Sequence, residues 1–313
     1  MIRALWLLAW APAQAGAFEL YFPVQCVLGE SCFIQQYHDH DPGTGARDFT
    51  CGSLSYDGHD GTDFAVPTFA AMQAGTAVLA AASGVVAGIR DGMADGPPGP
   101  QIEGRECGNG VLIEHAEGWQ TQYCHLRQGS ISVQQGDSVA AGDPLGLIGQ
   151  SGLAEFPHLH LSVRHNGTRI DPFSAETDAC GPTTDAGLWA DPLPYTPGGL
   201  IGIGFATEVP TFEAIKAGLT PPVLTPQSPA LVLWAHVFGA RAGDTLTLDI
   251  MGPKGPVHRA RVDLDRTQAR LFRASGKRVP TQGWPAGIYR GTVQMQRGDI
   301  DIGKMTLDIG IAR

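Results

Sequence analysis

Residues 158–164 read His158-Leu159-His160-Leu161-Ser162-Val163-Arg164. Residues i and i+2 of a β-strand point to the same side. The stretch therefore predicts a strand with two imidazoles on one face and Leu159 and Leu161 on the other. Pro157 positions its entry, and Asn166-Gly167 ends it with a turn. Working outward, the same short strands cut by glycine turns recur from Phe64 to Asp171. Thr76–Ala80 and Gly84–Ile89 are strand-like, joined through Ala81-Ala82-Ser83. Val111–His115 and Gln120–Leu126 form a hairpin around Ala116-Glu117-Gly118. Ser130–Val133, Ser138–Ala140 and Leu145–Ile148 follow as further strands. Asp91–Glu106, rich in Gly and Pro, reads as an inserted surface loop.

The 313 residues suggest two domains, on a prior of roughly 150 residues each. Hydrophobic residues at 43% and charged residues at 17% supply real cores and exclude intrinsic disorder. With 42 glycines and 23 prolines the chain is turn-rich, as a β fold requires. Acidic residues outnumber basic ones 31 to 21, for a net charge of −10, which disfavours a nucleic-acid partner.

Arg3, the apolar Ala4–Trp10, and Ala13-Gln14-Ala15 or Ala15-Gly16-Ala17 predict a signal peptide over 1–17. Its apolar run is far short of the roughly 20 residues of a membrane span. The expectation is an exported protein, periplasmic or secreted, with no transmembrane segment in the mature chain. Cys26, Cys32, Cys51, Cys107, Cys124 and Cys180 then read as disulfides, with 15 pairings open. Nine prolines mark 178–229 as a connector, with a short helix at Phe212–Ala217. Beyond it, Ala230–Phe238, Thr245–Met251, Val257–Leu264, Ile288–Gln296 and Lys304–Ile311 alternate as strands. These predict a small β-sandwich of the Ig-like kind over 230–313. The fold class is mainly β.

Eight of the ten histidines lie between His38 and His165, so the chemistry is expected in the first half. His59-Asp60-Gly61-Thr62-Asp63 offers an imidazole and a carboxylate, with a glycine that lets the backbone bring them together. Alone it is a weak signal, and such a stretch is more often an exposed polar turn. His125 in Tyr123-Cys124-His125-Leu126, taken alone, is an ordinary strand histidine. Together with the 158/160 pair these residues carry more weight. A catalytic zinc takes three protein ligands of His and carboxylate type and keeps one position for water. His59, Asp63 and one of His158 and His160 satisfy that count. The ion lowers the pKa of its water to around 7, and two further histidines serve proton transfer.

With these motifs the sequence resembles the zinc peptidases of the lysostaphin/LytM type, peptidase family M23. The resemblance runs from about Tyr56 to Phe173. It takes in His59-x-Gly61-x-Asp63, Gly108-Asn109-Gly110, Tyr123-x-His125, Gly136-Asp137, Gly149-x-Ser151-Gly152, His158-Leu159-His160 and Asp171-Pro172. It implies an antiparallel LytM-like sheet over 56–177, behind an N-terminal segment at 18–55. It implies one Zn2+ held by His59, Asp63 and His160, with His125 and His158 as the catalytic histidines. It also implies peptide crosslinks of bacterial peptidoglycan as substrate. Tyr56 is a candidate for oxyanion support, and the Asp91–Glu106 loop is expected beside the groove. His38-Asp39-His40-Asp41 falls outside the pattern and reads as a solvated loop. His115 and His165 read as a strand-end and a surface residue. Two other readings stand beside the enzyme. One is a non-catalytic regulator of other wall hydrolases. The other is a structural envelope protein in which the second domain does the main work.

Overall fold

The computed structural model describes residues 17–99, 102–175, 179–181 and 187–312. The expected leader over 1–17 lies outside them but for Ala17. In the first half the strands are β1 (Phe33–Gln36), β2 (Thr62–Ala65), β3 (Ala77–Leu79), β4 (Gly84–Arg90) and β5 (Asn109–Glu114). They continue as β6 (Trp119–Leu126), β7 (Ser138–Val139), β8 (Pro144–Leu147), β9 (His158–His165) and β10 (Thr168–Ile170). Helix α1 (Phe69–Ala74) starts where the Thr68 side chain accepts from Ala71 N.

The main sheet has the order β1-β2-β9-β6-β5-β4-β7, and every pair in it is antiparallel. β10 pairs with β9, and β3 with β8 in a separate ribbon. The predicted strand around His158 is the centre of this sheet. Leu159, Leu161 and Val163 go into the core with Phe64, Ile113 and Tyr123. Register does the rest: β9 sets His160 opposite Asp63 on one side and opposite Cys124 on the other. Residues a hundred positions apart meet because the hydrophobic alternation admits only one register.

Ser130–Val133 is not a strand. Its serines turn their hydroxyls on the backbone instead: Ser130 Oγ donates to Arg127 O at 2.8 Å, and Ser132 Oγ to Pro144 O at 3.0 Å. Such local bonds compete with a ladder. The cysteines pair as Cys26–Cys32, Cys51–Cys180 and Cys107–Cys124. Cys51–Cys180 ties the N-terminal segment to the end of the first half.

The second half contains β11 (Gly199–Ala206), α2 (Phe212–Ala217), β12 (Ala230–Ala240), β13 (Asp244–Gly252) and β14 (Gly255–Asp263). It closes with β15 (Gln268–Arg278), β16 (Gly287–Arg297) and β17 (Ile300–Ile311). Sheets β11-β12-β15 and β14-β13-β16-β17 enclose a core that includes Leu231, Leu233, Leu246, Leu248, Tyr289 and Val293. The helix at 212–217 falls where its sequence predicts it. β11 lies within 178–229, so that stretch is more than a connector. Its alternation is carried by glycines rather than polar residues. Gly204 is one of them because a Cβ there would lie 2.4 Å from the Trp234 ring.

The two halves share a core. Ile201 and Phe238 belong to the first half's hydrophobic cluster, and the Phe33 and Phe238 rings lie 4.7 Å apart. Arg297 donates to both carboxylate oxygens of Asp244 at 2.8 Å and to Gly239 O at 3.0 Å, fixing the corner after β12. Among the described residues no helix is long and apolar enough to cross a membrane.

Candidate metal centre

His59 precedes β2, Asp63 lies in β2 and His160 in β9. Their three donor atoms form a near-equilateral triangle. His59 Nε2 lies 3.1 Å from Asp63 Oδ1 and 3.1 Å from His160 Nδ1; His160 Nδ1 lies 2.9 Å from Asp63 Oδ1. Among the described residues these three form the one such group of metal-binding side chains. Two imidazoles and a carboxylate are the donors zinc takes, and three protein donors leave a fourth position. The residues therefore fit one divalent ion.

Each donor is held from behind. His59 Nδ1 donates to Tyr37 O at 2.7 Å, which turns Nε2 toward the centre. His160 Nε2 lies 3.1 Å from Asp60 Oδ1 and 3.0 Å from Ser162 Oγ, and Asp60 is paired in turn with Arg169. Burial opposes ionisation of Asp60, but the bond to His160 together with the charges of His160, Arg169 and His59 outweighs it and holds the carboxyl at about 2. Burial likewise acts to lower His160, and the carboxylates of Asp60 and Asp63 outweigh it, raising the imidazole to about 9. Asp63 is wholly buried, yet the surrounding imidazoles hold it well below the usual carboxylate range.

His125 and His158 lie beside this triangle, their ring centroids 4.6 Å apart. His158 Nδ1 donates to Phe156 O at 2.8 Å, and its Nε2 lies 3.5 Å from Asp63 Oδ1. His125 Nδ1 donates to Ser151 O at 2.8 Å. These carbonyls fix the tautomer and leave Nε2 available on each ring. Burial lowers the pKa of both imidazoles, and for His125 the neighbouring His158 adds to it. Both are therefore neutral at pH 7 and able to accept a proton. His125 adopts φ 64° near the end of β6. That left-handed backbone costs a side-chain-bearing residue about 1 kcal/mol, and here it aims the ring out of the strand's alternation.

The structure thus brings together all five residues picked out in the sequence. Tyr56 is close, its ring 4.5 Å from that of His59. The 91–106 loop reaches the groove through Glu106. The 38–41 tract departs from its reading as a solvated loop: His40 Nε2 pairs with Asp171 at 2.7 Å, and both side chains are buried. His115 is anchored by Ser83 O and Thr121 Oγ1, and His165 stacks on Trp119. Asp60, inside the His59–Asp63 motif, has a role that the motif alone does not disclose. The Tyr37, Ser151 and Phe156 carbonyls are likewise invisible to any side-chain pattern.

A buried His–Asp–His triangle on an antiparallel sheet, flanked by two neutral imidazoles, defines a candidate metal-dependent hydrolase site. Residues 57–172 match the family model of Peptidase family M23, and the chain carries an M23 peptidase domain there. Over 118 residues it is 36% identical to the DD-carboxypeptidase/endopeptidase Mpg of Neisseria meningitidis serogroup B, covering 37% of this chain and 22% of that protein. Over 117 residues it is 32% identical to the peptidoglycan DD-endopeptidase ShyA of Vibrio cholerae, covering 37% and 23%. The matched segment thus spans under a quarter of these curated relatives. Among solved structures, a mutant catalytic domain of the prophage-encoded M23 protein EnpA from Enterococcus faecalis is 27% identical. It covers 52% of this chain and 100% of that one, with a TM-score of 0.34.

Proposed function

We propose that the chain is an exported zinc metalloendopeptidase that hydrolyses peptide crosslinks of bacterial peptidoglycan. The convergence of His59, Asp63 and His160, with His125 and His158 beside them, carries this reading. An ion held there supplies Lewis-acid polarisation of a carbonyl and acidifies a coordinated water. His125 and His158 act as proton acceptor and donor through Nε2, one serving the attacking water and the other the leaving amine. Tyr56, whose ring packs against that of His59, would support the developing oxyanion. The relatives named as DD-endopeptidases support the substrate class, and the disulfides fit an oxidising compartment.

A chelator should abolish release of peptides from purified sacculi, and added zinc should restore it, with products identified by mass spectrometry. His125→Ala or His158→Ala should retain zinc and lose on the order of 10²–10⁴ in turnover, whereas Asp63→Ala should lose the metal. Turnover by the metal-free chain would end this reading. One bound zinc with no cleavage of any wall preparation would favour the regulator.

A further inference from the structure

Two cavities flank the metal centre, and both are lined by Tyr56 and Leu153, so they form the arms of one groove. One arm, of about 230 Å³, has Arg164 and Arg169 in its wall together with Asp60 and Glu106. The other, of about 520 Å³, lies between two halves of the molecule. Phe156 and His158 line one side of it; Thr267, Gln268 and Ala269 line the other. These last residues lie at and just before the start of β15, where Gln268 pairs with Ala240 at the end of β12. His158 and the edge of the second half thus face the same space.

The edge is fastened to the first half at several points. Gln35 Nε2 donates to Ala269 O at 3.1 Å. Arg270 Nη2 reaches Pro67 O at 3.5 Å, and its guanidinium lies 5.1 Å from the centre of the Phe156 ring. Phe156 is the residue whose carbonyl orients His158. A swinging domain would not hold such contacts.

We infer that the Thr267–Ala269 edge of the second half is a fixed, specificity-determining wall of the substrate groove. Apart from Asp63 of the metal centre and the imidazole of His158, Glu155 is the one charged side chain lining this arm; Gln36, Ser53 and Ser55 are among the neutral ones. The arm therefore takes an extended peptide segment that is uncharged or bears an amine, and disfavours a free carboxylate. The opposite arm carries both signs, Arg164 and Arg169 beside Asp60 and Glu106, and Arg169 is already paired with Asp60, so charge selection falls to the neutral arm. This inference rests on the peptidase reading for the identity of the ligand.

Thr267 is exposed and its hydroxyl makes one long hydrogen bond, accepting from Ala242 N at 3.4 Å, so urea titration of each variant checks that the fold is kept. The test compares the zinc-loaded full chain with Thr267→Trp and Thr267→Arg on crosslinked stem peptides, in amidated and free-carboxylate forms. Zinc content, kcat/KM, and binding of the same peptides by the metal-free chain are all measured. Thr267→Trp should lower both kcat/KM and binding at least tenfold with zinc content unchanged. Thr267→Arg should shift the amide-to-carboxylate preference at least tenfold toward carboxylate. Values within twofold of the parent for both variants would overturn the wall while leaving the peptidase reading intact. Should the parent hold zinc and cleave neither peptide, the peptidase reading fails and binding decides: weakening by Thr267→Trp sustains the wall, while unweakened or absent binding overturns it.

Discussion

Asp60 stands behind His160 rather than at the metal position. Its Oδ1 lies 3.1 Å from His160 Nε2, and the ligating atom of that ring is Nδ1. A carboxylate on the far nitrogen of a ligating imidazole fixes the ring's orientation and raises its basicity. Held at about 2, Asp60 is ionised throughout the neutral range. Asp60→Asn keeps the size and one hydrogen bond but removes the charge. It should weaken zinc binding by about 10–100-fold, as outer partners of metal ligands do; competition against a chromophoric chelator measures this. Equal affinity in variant and parent would show that Ser162 alone orients the ring. The sequence displayed Asp60 openly, yet its role was illegible. The residue precedes β2, so no strand periodicity says where its side chain goes.

Among the elements, the β5–β6 hairpin carries the left-handed His125 beside the site. Cys107 lies just before β5 and is bonded to Cys124 in β6, with a sequence separation of 17. His125 N donates to Cys107 O at 2.8 Å, so the crosslink and the left-handed backbone of His125 share one corner. A loop of this length loses about 3 kcal/mol of closure entropy from the unfolded chain. The Cys107→Ser/Cys124→Ser double variant should lose about that much stability in urea titration, and its turnover should fall further than its zinc content. A variant as stable as the parent would place the unfolded chain's constraint elsewhere. This hairpin was plain in the sequence because apolar alternation brackets a Gly-containing turn. So was β9, where leucines alternate with histidines. β11 was hidden because glycines replace its polar positions, and β15 because arginines and a lysine break up its apolar pattern. β1 was hidden for another reason: Gln35 and Gln36 are buried polar residues, and a pattern of hydrophobicity misreads them as exposed. That omission mattered, since β1 leads directly into Tyr37, whose carbonyl positions His59.

At the scale of the whole molecule the halves are fused by a seam that places a titratable group in an apolar setting. His236, in β12, is 1% exposed and accepts from Arg270 Nη2 at 3.2 Å. Burial, then the charges of Arg270 and Lys216, depress its pKa to about 3. The folded chain keeps this imidazole neutral down to that value, whereas the unfolded chain takes up a proton near 6.5. Between the two values unfolding binds a proton, so stability rises with pH and falls on acidification. Each pH unit in that window is worth about 1.4 kcal/mol per such group. Replacing His236 by Gln, whose carbonyl oxygen can still accept from Arg270, removes the proton uptake and retains the bond. Urea midpoints at pH 4, 5, 6 and 7 should then fall less steeply for His236→Gln than for the parent, by close to one proton. The slope should not vanish, because burial also depresses His125 and His158. Because Arg270 joins this seam to Phe156 beside His158, acid loosening of the seam should reach the groove before the first sheet melts. Loss of peptide binding should therefore precede global unfolding on acidification in the parent, and the two should draw together in His236→Gln. Parallel slopes for parent and variant would show that the seam stays closed as the pH falls.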